Sequence, residues 1–311
     1  MAQITAKDVA ALRAKTGLGM MDCKKALVEA DGDMDKAVKI LREKGLATAA
    51  KKEGRIAAEG VVDILKEGSV TAMIEVNSET DFVAKNDTFK EFVKGLLRTV
   101  IATRPASVEE LAGKTFDGTT QTVSEVLTEK IALIGEKISI RRFTVVEGVT
   151  TTYIHGAGQT GVIVKFDADD AAIANPGFAE AAKNVALQIA AGNPPTYVAR
   201  ADVPQAAVEE ELSIQVAAAK NDEKLASKPE EVLKKIVAGK MGKLFYEKVC
   251  LLEQPYVKDD SMSVGKYLEA ASKQLGGKIS VASFVIFEKG EGIQKREENF
   301  AEEIAKLTNK A

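Results

Sequence analysis

The sequence predicts an α+β fold: a three-helix N-terminal segment, two repeated α+β subdomains with antiparallel sheets, a helical hairpin inserted into the second, and a C-terminal helix. Three observations carry this prediction. The hydrophobic period is helical at the start and changes to strand-like alternation from Glu59. The stretch GEKISIRRFTVVE, starting at Gly135, returns as GGKISVASFVIFE, starting at Gly276, with Gly, Lys, Ile, Ser, Phe and Glu at the same places. The strands alternate rather than run continuously apolar, which argues against a parallel sheet buried on both faces.

Taken in order, Ile4, Val9 and Leu12 give one helical stripe, Met20, Met21, Ala26 and Leu27 a second, and Met34, Ala37, Val38 and Leu41 a third. Thr16-Gly17 and Asp31-Gly32 punctuate these helices, and Gly45 is expected to end the third. The core of such a unit is thin, but it can fold alone. LATAAKKEGRIAAEG, small and basic, reads as a linker with some helical character. VVDILKEGSVTAMIEVN then reads as a β-hairpin around Gly68. A helix is expected over about 88–102, burying Phe89, Phe92, Val93, Leu96 and Leu97, with Thr88 and Glu91 at capping-box spacing. A Gly- and Thr-rich loop at 113–122 leads to the helix VSEVLTEKIALIG and the strand KISIRRFTVVEG.

The repeat extends beyond one strand. Val123 and Leu127 precede the first copy as Val264 and Leu268 precede the second, at the same offset of 141 residues. GSVTAMIEVN from Gly68 lies over GQTGVIVKFD from Gly158, at an offset of 90. The difference places about 51 extra residues in the second copy, where VPQAAVEEELSIQVAAAK and PEEVLKKIVAGKMGKLFYEKV, joined by NDEKLASK, read as two amphipathic helices. The expected organisation is a three-helix domain at 1–55, a core subdomain at 56–147, a second at 148–290 with the inserted hairpin at about 203–250, and a helical module at 291–311.

Composition narrows the function. A length of 311 residues is long for one core. A net charge of −3, from 43 basic and 46 acidic residues, argues against nucleic-acid binding driven by bulk electrostatics, and the absence of Trp leaves little material for base stacking. Cys23 and Cys250 fit no metal spacing and are too few for a disulfide framework, so a reducing, cytoplasmic setting is expected. The start MAQITAKDVAALRAK reads as an amphipathic helix rather than a signal peptide, and no apolar run is long enough to predict a membrane span.

Catalytic signatures are few. GAGQTG, at 156–161, satisfies G-x-G-x-x-G, yet strand-like YIH precedes it and strand-like VIVKF follows, where a dinucleotide site needs a helix. A hairpin turn is expected there. His155 is the only histidine, so it has no catalytic pair and no metal cluster. The expectation is a protein that works by contact: not an enzyme, with no catalytic residue, cofactor or metal. By themselves the lysines of MMDCKKAL and AAKKEG read as solvated helix faces.

NSETDFVAKND, at 77–87, sets Asp81 and Phe82 side by side where a strand gives way to a helix. Two readings are open. Asp81 is a helix N-cap and Phe82 a core residue closing the hairpin onto the helix; or the ring and the acid are displayed to wedge into a partner's cleft.

At these residues the chain resembles a known family. TGLGMMDCKKAL (16–27) and EVNSETDFVAKN (75–86) are similar to the two signature segments of the elongation factor Ts family, the guanine-nucleotide exchange factors of elongation factor Tu, and the likeness covers essentially the whole chain. It implies a ubiquitin-associated-like N-terminal domain, two core subdomains, a coiled-coil module and a C-terminal module. It also implies partner-binding roles for Lys24, Lys52, Thr80, Asp81, Phe82, Ile134 and Gly135, with the T-D-F segment entering the partner's nucleotide-binding domain near its magnesium site. His155, in a Tyr-x-His-Gly context, matches a contact to the partner's third domain; Val257, in QPYVKDD, matches another, although Lys258 follows where an apolar residue is expected. The implied partner is elongation factor Tu in its nucleotide-free or GDP form, with no direct nucleotide binding, no membrane and no strong nucleic-acid binding by this chain. The 103–122 loop and the 192–204 segment match no pattern, and the oligomeric state stays open, a dimer included. The competing readings are a passive scaffold of the translation machinery, an enzyme holding a dinucleotide at GAGQTG, and an RNA-binding translation protein.

Overall fold

A computed structural model describes residues 4–191, 193–222, 225 and 228–294. The helix expected over 291–311 therefore lies outside the described residues, except for its first four positions. The chain forms an α+β protein of two compact units, one of described residues 4–65, 72–144 and 288–294, the other of 66–71 and 145–287.

The first unit opens with α1 (Ala6–Thr16), α2 (Met20–Glu29) and α3 (Met34–Lys52). α1 starts on a reciprocal capping box between Thr5 and Asp8 and stops at Gly17, whose φ of 69° is the left-handed conformation glycine tolerates. Val9, Leu12, Ala26, Leu27, Ala37 and Leu41 of the expected stripes are buried, and Cys23 joins them. Met20 and Met21 depart from expectation: both are exposed, because the inward face of α2 runs through Cys23, Ala26, Leu27 and Ala30. Gly45 does not end α3, and the expected linker is helical as far as Lys52. Gly45 is buried in the helix interior, where its bare backbone faces Thr128 and Ala132.

β1 (Glu59–Glu67) and β2 (Val70–Ser78) flank the turn at Gly68 as expected, and α4 (Asp81–Lys85), α5 (Asp87–Thr103), α6 (Val108–Ala112), α7 (Val123–Ile134) and β3 (Ile138–Glu147) follow. The sheet order is β1-β2-β3. α5 buries the five predicted residues, but its cap is Asn86, which accepts the Thr88 N–H at 2.8 Å; the Thr88–Glu91 box is not used. The sequence gives no sign of the short α6. β2, the central strand, is buried on both faces, so Glu75 and Asn77 are interior rather than solvent-facing. Glu75 is satisfied there by Arg141 Nη1 at 2.9 Å, Arg142 Nε at 2.7 Å and the Gly290 N–H at 2.8 Å.

The second unit repeats the plan. β4 (Val149–His155) pairs antiparallel with β5 (Thr160–Ala168), from Val149 against Phe166 to His155 against Thr160. α8 (Asp170–Ala174) and α9 (Phe178–Ala190) follow, then α10 (Gln205–Lys220), α11 (Glu230–Met241), the short α12 (Glu247–Val249), β6 (Pro255–Tyr256), β7 (Asp259–Ser263), α13 (Val264–Leu275) and β8 (Ile279–Glu288). The sheet order β4-β5-β8 mirrors the first. α13 and β8 cover the positions of α7 and β3 shifted by 141, and β5 covers those of β2 shifted by 90. α10 and α11 form the inserted hairpin around Val216, Ala219, Leu233, Val237 and Met241. The second arm is not one long helix, since Gly242–Tyr246 winds as a π-turn before α12. The small β6–β7 ribbon was not expected.

Candidate functional site

Phe82 is 79% exposed, a large apolar ring in water on a chain with few aromatics. The reading that made it a core residue is therefore corrected. The residue that anchors α4 is its neighbour Val83, which is buried. Asp81 is not the N-cap either. Thr80 holds that place, and Asp81 begins the helix with its carboxylate 2.6 Å from Lys85 Nζ, one turn on. Lys85 holds the Asp81 carboxyl below the usual carboxylate range, so the acid is ionised at neutral pH. The same ammonium lies 6.0 Å from the centre of the Phe82 ring.

The tip stands on crossed hydrogen bonds. The Thr80 N–H and hydroxyl both donate to Glu136, at 3.0 and 2.6 Å, and the side chain makes no cap bond to α4. In the opposite direction the Lys137 N–H donates to Glu79 at 2.6 Å, and Arg55 Nη1 reaches the same carboxylate at 3.2 Å. Ser78 Oγ closes the turn by donating to the Thr80 carbonyl at 2.9 Å. Lys137 Nζ ties the end of the α3 segment to this point through the Glu53 and Arg55 carbonyls, at 2.6 and 2.9 Å.

These contacts gather several positions that the sequence keeps far apart. Lys52 Nζ donates to the carbonyl of Gly135, the left-handed cap of α7 with a φ of 83°. Gly135 joins the partly exposed Ile134 to Glu136, and Glu136 holds Thr80. Lys52, Thr80, Asp81, Phe82, Ile134 and Gly135 thus share one connected region of the first unit. Lys24 is exposed on α2 of the same unit, beyond the 17–19 loop, where a Cβ on Gly17 would lie 3.9 Å from Leu133.

His155 and Val257 belong to the second unit. His155 is exposed at the end of β4, with Nδ1 3.4 Å from the Tyr153 hydroxyl. Val257, 55% exposed, caps the β6–β7 turn, its N–H donating to Gln188 at 2.7 Å. Lys258, the unexpected polar neighbour, has a role at home: its ammonium reaches Asn184 Oδ1 at 2.7 Å. At the matched place in the first unit, Phe116 stacks on Phe92 with centroids 5.7 Å apart. An inward-packed ring in one copy corresponds to a displayed valine in the other.

The joint under the tip is also built twice. In the second unit the Lys278 N–H donates to Asp169 at 2.7 Å, as Lys137 does to Glu79. Gly277 stands in the place of Glu136, however, and α8 opens at Asp170, directly after the shared acid, whereas Thr80 stands between Glu79 and the start of α4. A Cβ on Gly277 would lie 3.0 Å from the Ala172 nitrogen and 3.1 Å from Asp169 Cβ, so α8 rests directly on the joint. Glu79, Lys85, Glu136 and Lys137 escaped the sequence reading. An acid and a lysine recurring at matched positions, 79 with 137 and 169 with 278, were the available signal.

GAGQTG forms the turn between β4 and β5, with Gly156, Ala157 and Gly158 all at positive φ and a strand after it, not a helix. Among the described residues no group of three or more His, Cys, Asp or Glu side chains could hold a metal ion, and no helix is long and apolar enough to cross a membrane. Cys23 and Cys250 are both buried and free, and burial, with Glu253 nearby, pushes the Cys250 thiol up to about 11.

Fold and site together describe a duplicated α+β scaffold that displays a braced aromatic tip. The family model described as Elongation factor TS matches residues 79–291. Elongation factor Ts of Clostridium perfringens strain SM101 is 49% identical over 99% of this chain and all of its own length. Elongation factor Ts of Syntrophotalea carbinolica is 46% identical over 98% of this chain and 99% of its own, and that of Clostridium botulinum strain Alaska E43 is 46% identical over 99% and 100%. The chain belongs to the elongation factor Ts family, a family of translation elongation factors.

Proposed function

We propose that the chain is a cytoplasmic guanine-nucleotide exchange factor for elongation factor Tu that works by contact and makes or breaks no bond of its own. GDP stays on such GTPases because Mg²⁺ and phosphate-loop N–H groups neutralise its phosphates. Phe82 and Asp81 enter the partner near the metal and shift the elements that hold its water shell, so the nucleotide loses stabilisation without being touched. Lys24, Lys52, Ile134, Gly135, His155 and Val257 supply further contact. Binding is reciprocal: whatever factor the protein takes from nucleotide affinity, nucleotide takes from its own. A surface that binds the nucleotide-free state best is sufficient, with no cofactor, metal or catalytic residue.

The observation that supports this reading is the exposure of Phe82 on a braced support, since a ring left in water forgoes about 2 kcal/mol of burial. The test is stopped-flow release of fluorescent GDP from purified elongation factor Tu. The wild-type chain is expected to accelerate release, and Asp81→Ala with Phe82→Ala to lose most of that acceleration while circular dichroism is unchanged. Acceleration equal to wild type would overturn the wedge. No acceleration by the wild-type chain would overturn the exchange reading altogether.

A further inference from the structure

We infer that Glu136 is a positioning residue for exchange, an inference that rests on the reading above: its carboxylate fixes Thr80 and so sets the direction in which Phe82 leaves the scaffold. α4 has five residues, too few to hold a helix by its own hydrogen bonds, so its orientation must come from outside. Val83 supplies an apolar anchor, the Asn86 N–H closes the last turn onto the Val83 carbonyl, and Ser78 Oγ holds the Thr80 carbonyl. Glu136 fixes the entry to the helix by taking both the peptide N–H and the hydroxyl of the residue that precedes Asp81, holding a peptide plane and a side chain with one group. Glu136 itself follows Gly135, whose carbonyl is held by Lys52.

The second unit serves as an internal control. There the acid-to-N–H bond of Asp169 to Lys278 is kept, so that bond belongs to folding the joint. The position of Glu136 is glycine, and α8 starts on Asp170-Ala171 directly after the acid, with no counterpart of Thr80. The joint therefore forms without a carboxylate at this place; the copy that has one is the copy that displays a ring. Gly277 is itself kept bare by the close approach of α8, so the comparison separates the joint, common to both copies, from the brace on Thr80, found in the first.

The experiment is a double-mutant cycle on the full chain in the fluorescent-GDP assay, with Glu136→Ala, Glu136→Gln, Phe82→Ala and Phe82→Ala/Glu136→Ala. Loss of two hydrogen bonds to a charged acceptor predicts that Glu136→Ala slows stimulated release about tenfold, with Glu136→Gln, which keeps one acceptor oxygen, in between. If the group acts through the ring, Glu136→Ala adds nothing once Phe82 is alanine. Wild-type release by Glu136→Ala, or a loss that adds in full to that of Phe82→Ala, overturns the inference while leaving the exchange reading in place. If Phe82→Ala alone releases GDP as wild type does, the wedge and the inference fall together. Should Glu136→Ala fold poorly, Thr80→Val, which removes one of the two donors, runs the same cycle with the same deciding outcomes.

Discussion

Phe82 contributes contact surface rather than stability. Removing its ring opens no cavity, so Phe82→Ala is expected to change unfolding free energy by less than about 0.5 kcal/mol in urea titrations while impairing exchange. The two cysteines show the reverse pattern. Reactivity follows the thiolate, and Cys250 titrates near 11 because it is buried. A thiol reagent at pH 8 is expected to label neither cysteine rapidly in the native chain, and both once denaturant is added; fast native labelling of Cys250 would contradict its placement. The sequence singles out Phe82 but leaves its burial open, because exposure depends on what stands beneath the residue. The group beneath it, Glu136, lies 56 positions along the chain.

At the scale of elements, two glycines in helices have opposite meanings. Gly45 in α3 faces α7 at a distance that admits a methyl group: an added Cβ would sit in ordinary contact, 3.6 Å from Thr128 and 3.7 Å from Ala132. Gly45→Ala is therefore expected to stabilise the fold by about 0.5–1 kcal/mol through helix propensity. Gly95 in α5 has no such room, since a Cβ there would come within 2.2 Å of the Phe116 ring. Gly95→Ala is expected to cost about 1–3 kcal/mol by driving Phe116 off Phe92, measurable as a lower urea midpoint. Sequence alone cannot separate these cases. Local punctuation favours ending a helix at Gly45, and only the distant α7 explains why the helix continues. The hydrophobic period, by contrast, is a local property, and it placed α1, α2, α5, α7, the first hairpin and the first inserted arm where they are found, while the second arm breaks at Gly242.

At the scale of the molecule, Glu75 connects the centre of the first sheet to the last described residues. Burial alone would push its carboxyl up; the Gly290 N–H, Arg141, Asn77 and Arg142 outweigh burial and hold it below the ordinary value of 4.5. A carboxyl depressed in the folded state gives stability that is present above the unfolded value and lost as pH falls through the folded one. Acid unfolding of the first unit is thus expected to steepen below about pH 4.5, and Glu75→Gln to flatten that slope. Glu75→Ala is expected to cost about 3 kcal/mol at pH 7, because it removes the buried carboxylate that Arg141 and Arg142 share and leaves Arg141 without an ion pair among the described residues, while Arg142 keeps Glu291. No periodicity announces this network, since its members lie 66, 67 and 215 positions from Glu75.

Duplication gives the molecule a reference within itself. Where two matched positions agree, as in the left-handed glycines 135 and 276, the residue answers to a demand of the architecture that both halves share. Where they differ, as at Glu136 and Gly277, each half answers to its own surroundings: a carboxylate under a displayed ring in one, bare backbone against a helix in the other.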